Sequence, residues 1–233
     1  MKGNISKIET MGLFDGPGIR VVIFMQGCIL RCIFCHNPEM FETEEKQLFT
    51  PQELVNFIKK YKPFFENNGG VTFSGGEPLL QQEFLLETCK LLKKEDIHIC
   101  LDTAGSIKVN TELLKLIDLV LLDIKALDNQ NYKKITNGDI TNFFDFVRKC
   151  KDLNKKIWLR QVIIPNINDN KDYIDKFKIF INQINNVEKV EFLPYHTMAK
   201  DKYKELNIDY KLKDTKAMDI DKCNQLFEYF KTL

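Results

Sequence analysis

The sequence predicts an α/β fold built from parallel β-α units, on three observations. Apolar, β-rich runs alternate with helix-like stretches, the pattern of strands joined by crossover helices. The strand-helix pairs number about six, too few to close an eight-stranded barrel. Polar and potential metal-ligating residues stand just past most of the strand runs, where β/α barrels keep their active sites.

The strand runs are Arg20 to Gln26, Val71 to Phe73, His98 to Leu101, Leu119 to Asp123, Ile157 to Ile164 and Val187 to Leu193. The first helix opens with a capping box, Thr50 as N-cap, Pro51 at N1 and Glu53 at N3, and runs through Leu54, Phe57, Ile58 and Tyr61 to a stop at Lys62-Pro63. Further helices are expected at Gln82 to Lys94, Thr111 to Ile117, Thr141 to Leu153, Asp172 to Gln183 and Lys222 to Phe230. Cys28 follows the first strand, Gly75 to Glu77 the second, Asp102 ends the third, Asp123 and Lys125 close the fourth, and His196 follows the sixth. No repeat, low-complexity tract or long linker divides the chain, so residues 1–233 read as a single domain.

Composition narrows the function classes. A hydrophobic content of 44% supports a sizeable core, and 34 basic against 33 acidic residues leave a net charge of +1. That balance argues against a nucleic-acid or membrane surface as main partner. The segment MKGNISKIETMG lacks the apolar run of a signal peptide, and no apolar stretch approaches the roughly 20 residues of a membrane span. Seven cysteines, an odd number without an export signal, make a disulfide framework improbable and a reducing cytoplasm the expected location.

The most informative segment is GCILRCIFCHNPE, which places Cys28, Cys32 and Cys35 on one short loop with spacing C-x3-C-x2-C. A cubane iron-sulfur cluster normally takes four cysteines, so three leave one iron open, as reactive metal sites do. A zinc knuckle would need a fourth ligand, for which His36 is poorly placed beside Cys35; chance clustering of buried thiols is the other bland reading. In SGGEP the two glycines let a ligand approach the backbone, although Gly-Gly-Glu-Pro is also a common turn. Asp102 and Asp123 end apolar strands and need a cation, a donor or water; a helix cap or a pair with Lys125 would serve. Arg160 lies within a strand and is expected to point into the barrel, toward cofactor, substrate or a structural partner. Asp15-Gly-Pro-Gly-Ile-Arg20 has turn chemistry at the entry to the first strand. Cys89, Cys100, Cys150 and Cys223 read as small core residues, and Phe64, Phe65, Phe143, Phe144 and Phe146 as packing.

The cysteine loop, with Phe34 before its third cysteine, together with SGGEP, LDTAG, LLDIK and LPYH, resembles the radical S-adenosylmethionine (SAM) superfamily. DGPGIR resembles the mark of members that activate glycyl-radical enzymes. The resemblance implies a partial, open (β/α)6 TIM-like barrel without a ferredoxin-like insert. It further implies a 4Fe-4S cluster on Cys28, Cys32 and Cys35 that reductively cleaves SAM, with hydrogen abstraction from a backbone glycine of the partner, pyruvate formate-lyase in the first instance. It places Phe34, His36, Gly75, Gly76, Glu77, Asp123, Ile124, Lys125 and His196 on SAM, and a possible Na+ or K+ at Asp102 and Asp123. Asp15, Gly16, Pro17, Gly18, Arg20 and Arg160 would face the substrate loop. A flavodoxin or ferredoxin is the expected electron donor and a monomer the expected state. Rival readings are a radical SAM enzyme acting on another glycyl-radical enzyme, a small molecule or a peptide, and a non-catalytic iron-sulfur or zinc protein.

Overall fold

The computed structural model describes residues 1–184 and 186–233. In chain order the strands are β1 (Gly3–Gly12), β2 (Arg20–Met25), β3 (Gln47–Phe49), β4 (Gly70–Gly75), β5 (His98–Thr103), β6 (Leu119–Asp123), β7 (Lys156–Ile163) and β8 (Val187–Pro194). The helices are α1 (Pro51–Lys59), α2 (Gln82–Lys94), α3 (Thr111–Leu116), α4 (Asn129–Thr136), α5 (Thr141–Asp152), α6 (Lys171–Ile181), α7 (Lys200–Glu205) and α8 (Ile220–Thr232). The strands form one sheet in the order β3-β1-β2-β4-β5-β6-β7-β8, whose end strands β3 and β8 do not pair, so the barrel stays open.

All six expected strand runs are strands, and from β2 to β8 every neighbour is parallel. The six expected helices correspond to α1, α2, α3, α5, α6 and α8. α1 begins with the expected capping box: Thr50 accepts from the Glu53 N–H while Glu53 caps the Thr50 backbone. It ends at Lys59, and Lys62-Pro63 opens a separate 3-10 turn, because Pro cannot supply the N–H a continuing helix needs.

Two strands and two helices were not expected. β1 and β3 extend the sheet by antiparallel pairing at the β2 edge. Only three of the ten residues of β1 are buried, and β3 has three residues, so neither shows a continuous apolar run. α4 and α7 bury three and one residues respectively, too few for a helical apolar stripe to register.

Parallel sheets bury both faces, and the two faces here differ in chemistry. Facing the helices, Ile23, Phe73, Leu101, Val120, Leu122 and Leu159 are fully buried in one apolar core. Residues of the opposite face stand in register around the inside of the barrel: Phe24 beside Ser74, Thr72 beside Cys100, Leu121 beside Trp158 and Asp123 beside Arg160. The inner face is therefore a mixed wall, with Ser74, Asp102 and Asp123 at the carboxyl ends of the strands and Arg20 and His98 at the amino ends. Replacing Thr50 by Ala should lower the unfolding free energy by about 1 kcal/mol through loss of the cap, read as a shift of the urea midpoint without a change of slope.

Candidate active site

A cavity of about 290 Å3 opens at the carboxyl ends of the strands, close to the lower end of the range for small-molecule sites. Three groups of residues line it: Cys28, Cys32, Phe34, Cys35 and His36 from the loop after β2; Gly75, Gly76 and Glu77 from the turn after β4; and Asp15, Asp102, Asp123 and Lys125. A larger concavity of about 680 Å3 lies outside the barrel between α1 and α2, lined by Pro51, Leu91 and the stems of lysines. Its lining holds no cysteine or histidine, so the chemistry points to the smaller cavity.

The glycine turn is built by close approach of two backbones. Gly75 has φ +110°, and a Cβ there would stand 2.4 Å from the Met25 nitrogen; a Cβ on Gly76 would stand 2.1 Å from the Gly27 carbonyl oxygen. The Gly76 and Glu77 N–H groups donate to the Met25 and Gly27 carbonyls at 2.9 and 2.8 Å, tying this turn to the start of the cysteine loop. Glu77, 1% exposed, accepts from the Leu79 N–H at 3.2 Å, the Thr103 hydroxyl at 2.6 Å, the Ala104 N–H at 3.2 Å and the Ser106 hydroxyl at 3.4 Å. Burial pushes its carboxyl up in pKa, against the pull of these donors. Four protein donors make Glu77 the latch of the turn. Thr103 and Ser106, which hold it, carry no sequence signal beyond the small polar residues of LDTAGS.

The charged wall forms one network. Arg160 donates to Asp102 and, through Nε at 3.0 Å, to Asp123; Lys125 Nζ donates to the other Asp123 oxygen at 2.9 Å, and the Ser74 hydroxyl to Asp102 at 2.6 Å. Against burial, which would raise it, Arg160 and Lys125 hold the Asp123 carboxyl down to about 2. Lys125 also lies over the Phe34 ring, 5.3 Å from its centroid, a cation–π contact.

Burial pushes the three thiols up, Cys28 and Cys32 to about 12 and Cys35 to about 11. A bound metal would have to displace their protons. Among the described residues no three His, Cys, Asp or Glu side chains close around a single ion. A multi-iron cube, by contrast, spreads its cysteines over separate corners. The donor chemistry, three thiols lining one cavity beside a glycine turn, fits such a cluster with a small ligand at its side.

The remaining candidates separate. His196 does not line the cavity; its ring lies 3.6 Å from that of His36, and its buried Nδ1 lacks a hydrogen-bond partner among the described residues. Burial, His196 and Lys202 lower the His36 pKa to about 4. Ile124, expected on the cofactor, has its side chain 1% exposed in the apolar core and gives its N–H to the Arg160 carbonyl. Arg20, expected at the substrate, is fully buried. Its guanidinium donates to the Thr72 hydroxyl at 2.6 Å and to the Pro17 and Val71 carbonyls at 2.9 and 2.6 Å. It clamps the entry turn, with its donors engaged by oxygens of the chain itself. Gly16 packs on Cys100 and Gly18 on Gly69, away from the cavity, leaving Asp15 as the one member of that turn on the cavity wall.

A model of the radical SAM superfamily matches residues 22–177, and the chain belongs to that superfamily. The pyruvate formate-lyase-activating enzyme of Clostridium pasteurianum is 49% identical over 233 residues, covering 99% of this chain and 98% of that protein. That of Staphylococcus epidermidis is 42% identical over 239 residues, covering 98% and 95%. Within the superfamily the chain thus belongs with the pyruvate formate-lyase-activating enzymes. Among solved structures, Streptococcus suis SuiB bound to precursor peptide SuiA aligns with a TM-score of 0.69 at 16% identity, covering 96% of this chain and 46% of that one. A domain of pyruvate-formate lyase-activating enzyme from Bacteroides vulgatus aligns at 0.55 and 21%, covering 70% and 95%. These two likenesses establish the fold alone.

Burial, with Asp102 nearby, raises the Asp15 carboxyl from 3.8 to about 6. The folded chain therefore binds this proton more tightly than the unfolded chain, and the associated stability is complete below about 3.8 and lost as pH rises through about 6. Asp15→Asn should accordingly be more stable than the parent at pH 8, with the difference in urea midpoints closing by pH 4.

Proposed function

We propose that the chain is a radical SAM activase that installs a glycyl radical on pyruvate formate-lyase. The observation that carries this reading is the meeting of three thiols, the glycine turn and the Asp123–Lys125 pair on one cavity. It is supported by near-full-length identity of 49% to a pyruvate formate-lyase-activating enzyme. Cys28, Cys32 and Cys35 would hold a 4Fe-4S cluster, and the glycine turn would help hold SAM. When bound, cluster and SAM supply reductive cleavage of the sulfonium and removal of a hydrogen atom from a backbone glycine.

The chain's own residues bind and orient. The backbone of Gly75 and Gly76 offers close approach to the amino-acid end of SAM, with Glu77 holding the turn in place rather than spending its oxygens on the ligand. Lys125 and Asp123 present one charge of each sign to that end, while Phe34 and His36 wall the cavity and His196 backs His36. Arg160 orients both carboxylates. An Na+ or K+ at Asp102 and Asp123 would share them with this guanidinium, which already bridges them and weakens the case for the ion. Asp15 is the residue of the entry turn placed to meet a substrate glycine loop.

Glycine suits such a reaction, since a Cα without a side chain can enter a narrow site in an extended loop. One electron per turnover comes from a flavodoxin or ferredoxin, and the cytoplasm is the compartment that keeps the thiols reduced. Among the described residues no helix is long and apolar enough to cross a membrane.

The test is electron paramagnetic resonance on the anaerobically reconstituted, reduced protein mixed with SAM and pyruvate formate-lyase. A glycyl-radical doublet is expected. A change in the reduced-cluster signal on adding SAM, with no doublet, would assign another substrate and overturn the activase reading. Cys32→Ala should bind no cluster and lose the visible absorbance of the reconstituted protein.

A further inference from the structure

Large apolar side chains exposed one at a time are ordinary on protein surfaces. Residues 11–14 break that pattern. Met11, Leu13 and Phe14 are 47%, 62% and 89% exposed. Among the described residues no other two consecutive Leu, Ile, Met, Phe or Trp side chains are both exposed, and Phe14 is the most exposed of all of them. Leu13 and Phe14 stand just before the DGPGIR turn, and neither has a part in the site described above.

The pair is a two-residue tip held at both ends. On one side Gly12 closes β1 against β2 in register with Arg20, and a Cβ there would stand 2.7 Å from Val22 Cγ2. On the other, the Asp15 carbonyl accepts from the Thr72 hydroxyl at 2.6 Å and the Pro17 carbonyl from Arg20 at 2.9 Å. A bare phenyl ring on a fixed turn adds little to the stability of the fold, since apolar stabilisation comes from area removed from water. Held in this way, the tip loses little freedom when another surface covers it.

Its position says which surface that is. Asp15 lines the cavity of about 290 Å3 that the three cysteines share, while Phe14 does not. Consecutive Cα atoms are only about 3.8 Å apart, so the tip stands at the cavity mouth. The volume is that of a small-molecule site, so a protein substrate can insert only a short extended piece and must lay the residues on either side of it over the rim. A small-molecule substrate would be enclosed by the cavity and would leave the tip bare.

We propose that Leu13 and Phe14 form an apolar docking anchor for the protein substrate, seating an apolar side chain that flanks the reacting glycine. This rests on the activase reading given above and names the part of the partner that the entry turn meets. Interface energy concentrates in a few anchors, aromatic ones prominent among them, that become dry on binding. Phe14 supplies such an anchor on the rim, and Asp15, one residue along, a polar group on the cavity side. The pair therefore acts on affinity for the partner and leaves the cleavage chemistry alone.

The experiment follows growth of the glycyl-radical doublet by electron paramagnetic resonance as the concentration of pyruvate formate-lyase is varied, for the reconstituted full chain and for Phe14→Ala and Leu13→Ala. Phe14→Ala should raise KM for pyruvate formate-lyase about tenfold, as truncation of an interface anchor does, with kcat and partner-free SAM cleavage by the pre-reduced protein unchanged. Phe14→Leu should restore most of the affinity, and Phe14→Ser should not. With p-benzoylphenylalanine in place of Phe14, irradiation should crosslink the chain to the segment of pyruvate formate-lyase that flanks the radical glycine. An unchanged KM in both alanine variants would overturn the proposal while leaving the activase reading intact. So would a crosslink to a second copy of this chain, or to a part of the partner remote from that glycine. Loss of SAM cleavage together with the rise in KM would mean that the tip only supports the turn, which equally overturns it. A parent that cleaves SAM and yields no doublet would end both readings.

Discussion

Asp123 is the pivot of the molecule. It ends β6 on the inner face of the barrel, where an unpaired carboxylate would carry a desolvation cost of several kcal/mol. Two cations answer it from different directions, Arg160 from β7 and Lys125 from its own loop, and Arg160 reaches on to Asp102 at the end of β5. Three adjacent strand ends are thereby held in one arrangement. Each charge has a counter-charge with hydrogen-bond geometry, which favours the ionised forms of Asp123, Lys125 and Arg160. Removing any one member would leave a buried charge uncompensated, so the network behaves as a unit.

Beside that wall, a second set of contacts converts the sheet into a frame for the cysteine loop. The β2 and β4 backbones run in register to Met25 and Gly75, and the glycine turn continues the pairing past the strands to Gly27. Glu77 then anchors the turn to the loop after β5 through Thr103, Ala104 and Ser106. The position of Cys28 is thus coupled to β5 through a chain of short contacts. α4 and α7 close the other sides of the loop, which leaves the thiols facing the cavity. Rigid support of this kind is what a site needs when its reactive group must stay within a fraction of an ångström of its target.

Much of the fold was legible because parallel strands buried on both faces leave continuous apolar runs, and all six such runs are strands. The helices with apolar stripes were legible for a similar reason. What escaped was held by tertiary contacts. β1 and β3 pair at an edge and bury little. α4 and α7 carry polar sequences, and they earn their places by clasping the cysteine loop. At the site, residue type and spacing pointed to the cavity-lining cysteines, the glycine turn, Asp102, Asp123 and Lys125. They could not tell which side of a strand end or loop each residue would take. Arg20 and Ile124 show this: both lie within motifs that face the cavity, yet one clamps the barrel interior and the other packs in the core.

By itself the sequence determined the alternation of strands and helices, the three-cysteine loop and the placement of polar residues after strands, since these follow from periodicity, turn chemistry and ligand spacing that are local in the chain. Only the tertiary structure decided that Glu77 is a latch, that Arg160 joins two carboxylates across the sheet, and that two helices without an apolar stripe hold the cysteine loop through the Thr136 and Ile135 carbonyls and Lys202. Those outcomes depend on which groups meet when burial removes water and every polar atom must find a partner. Partners dozens of residues apart leave no local trace of that choice.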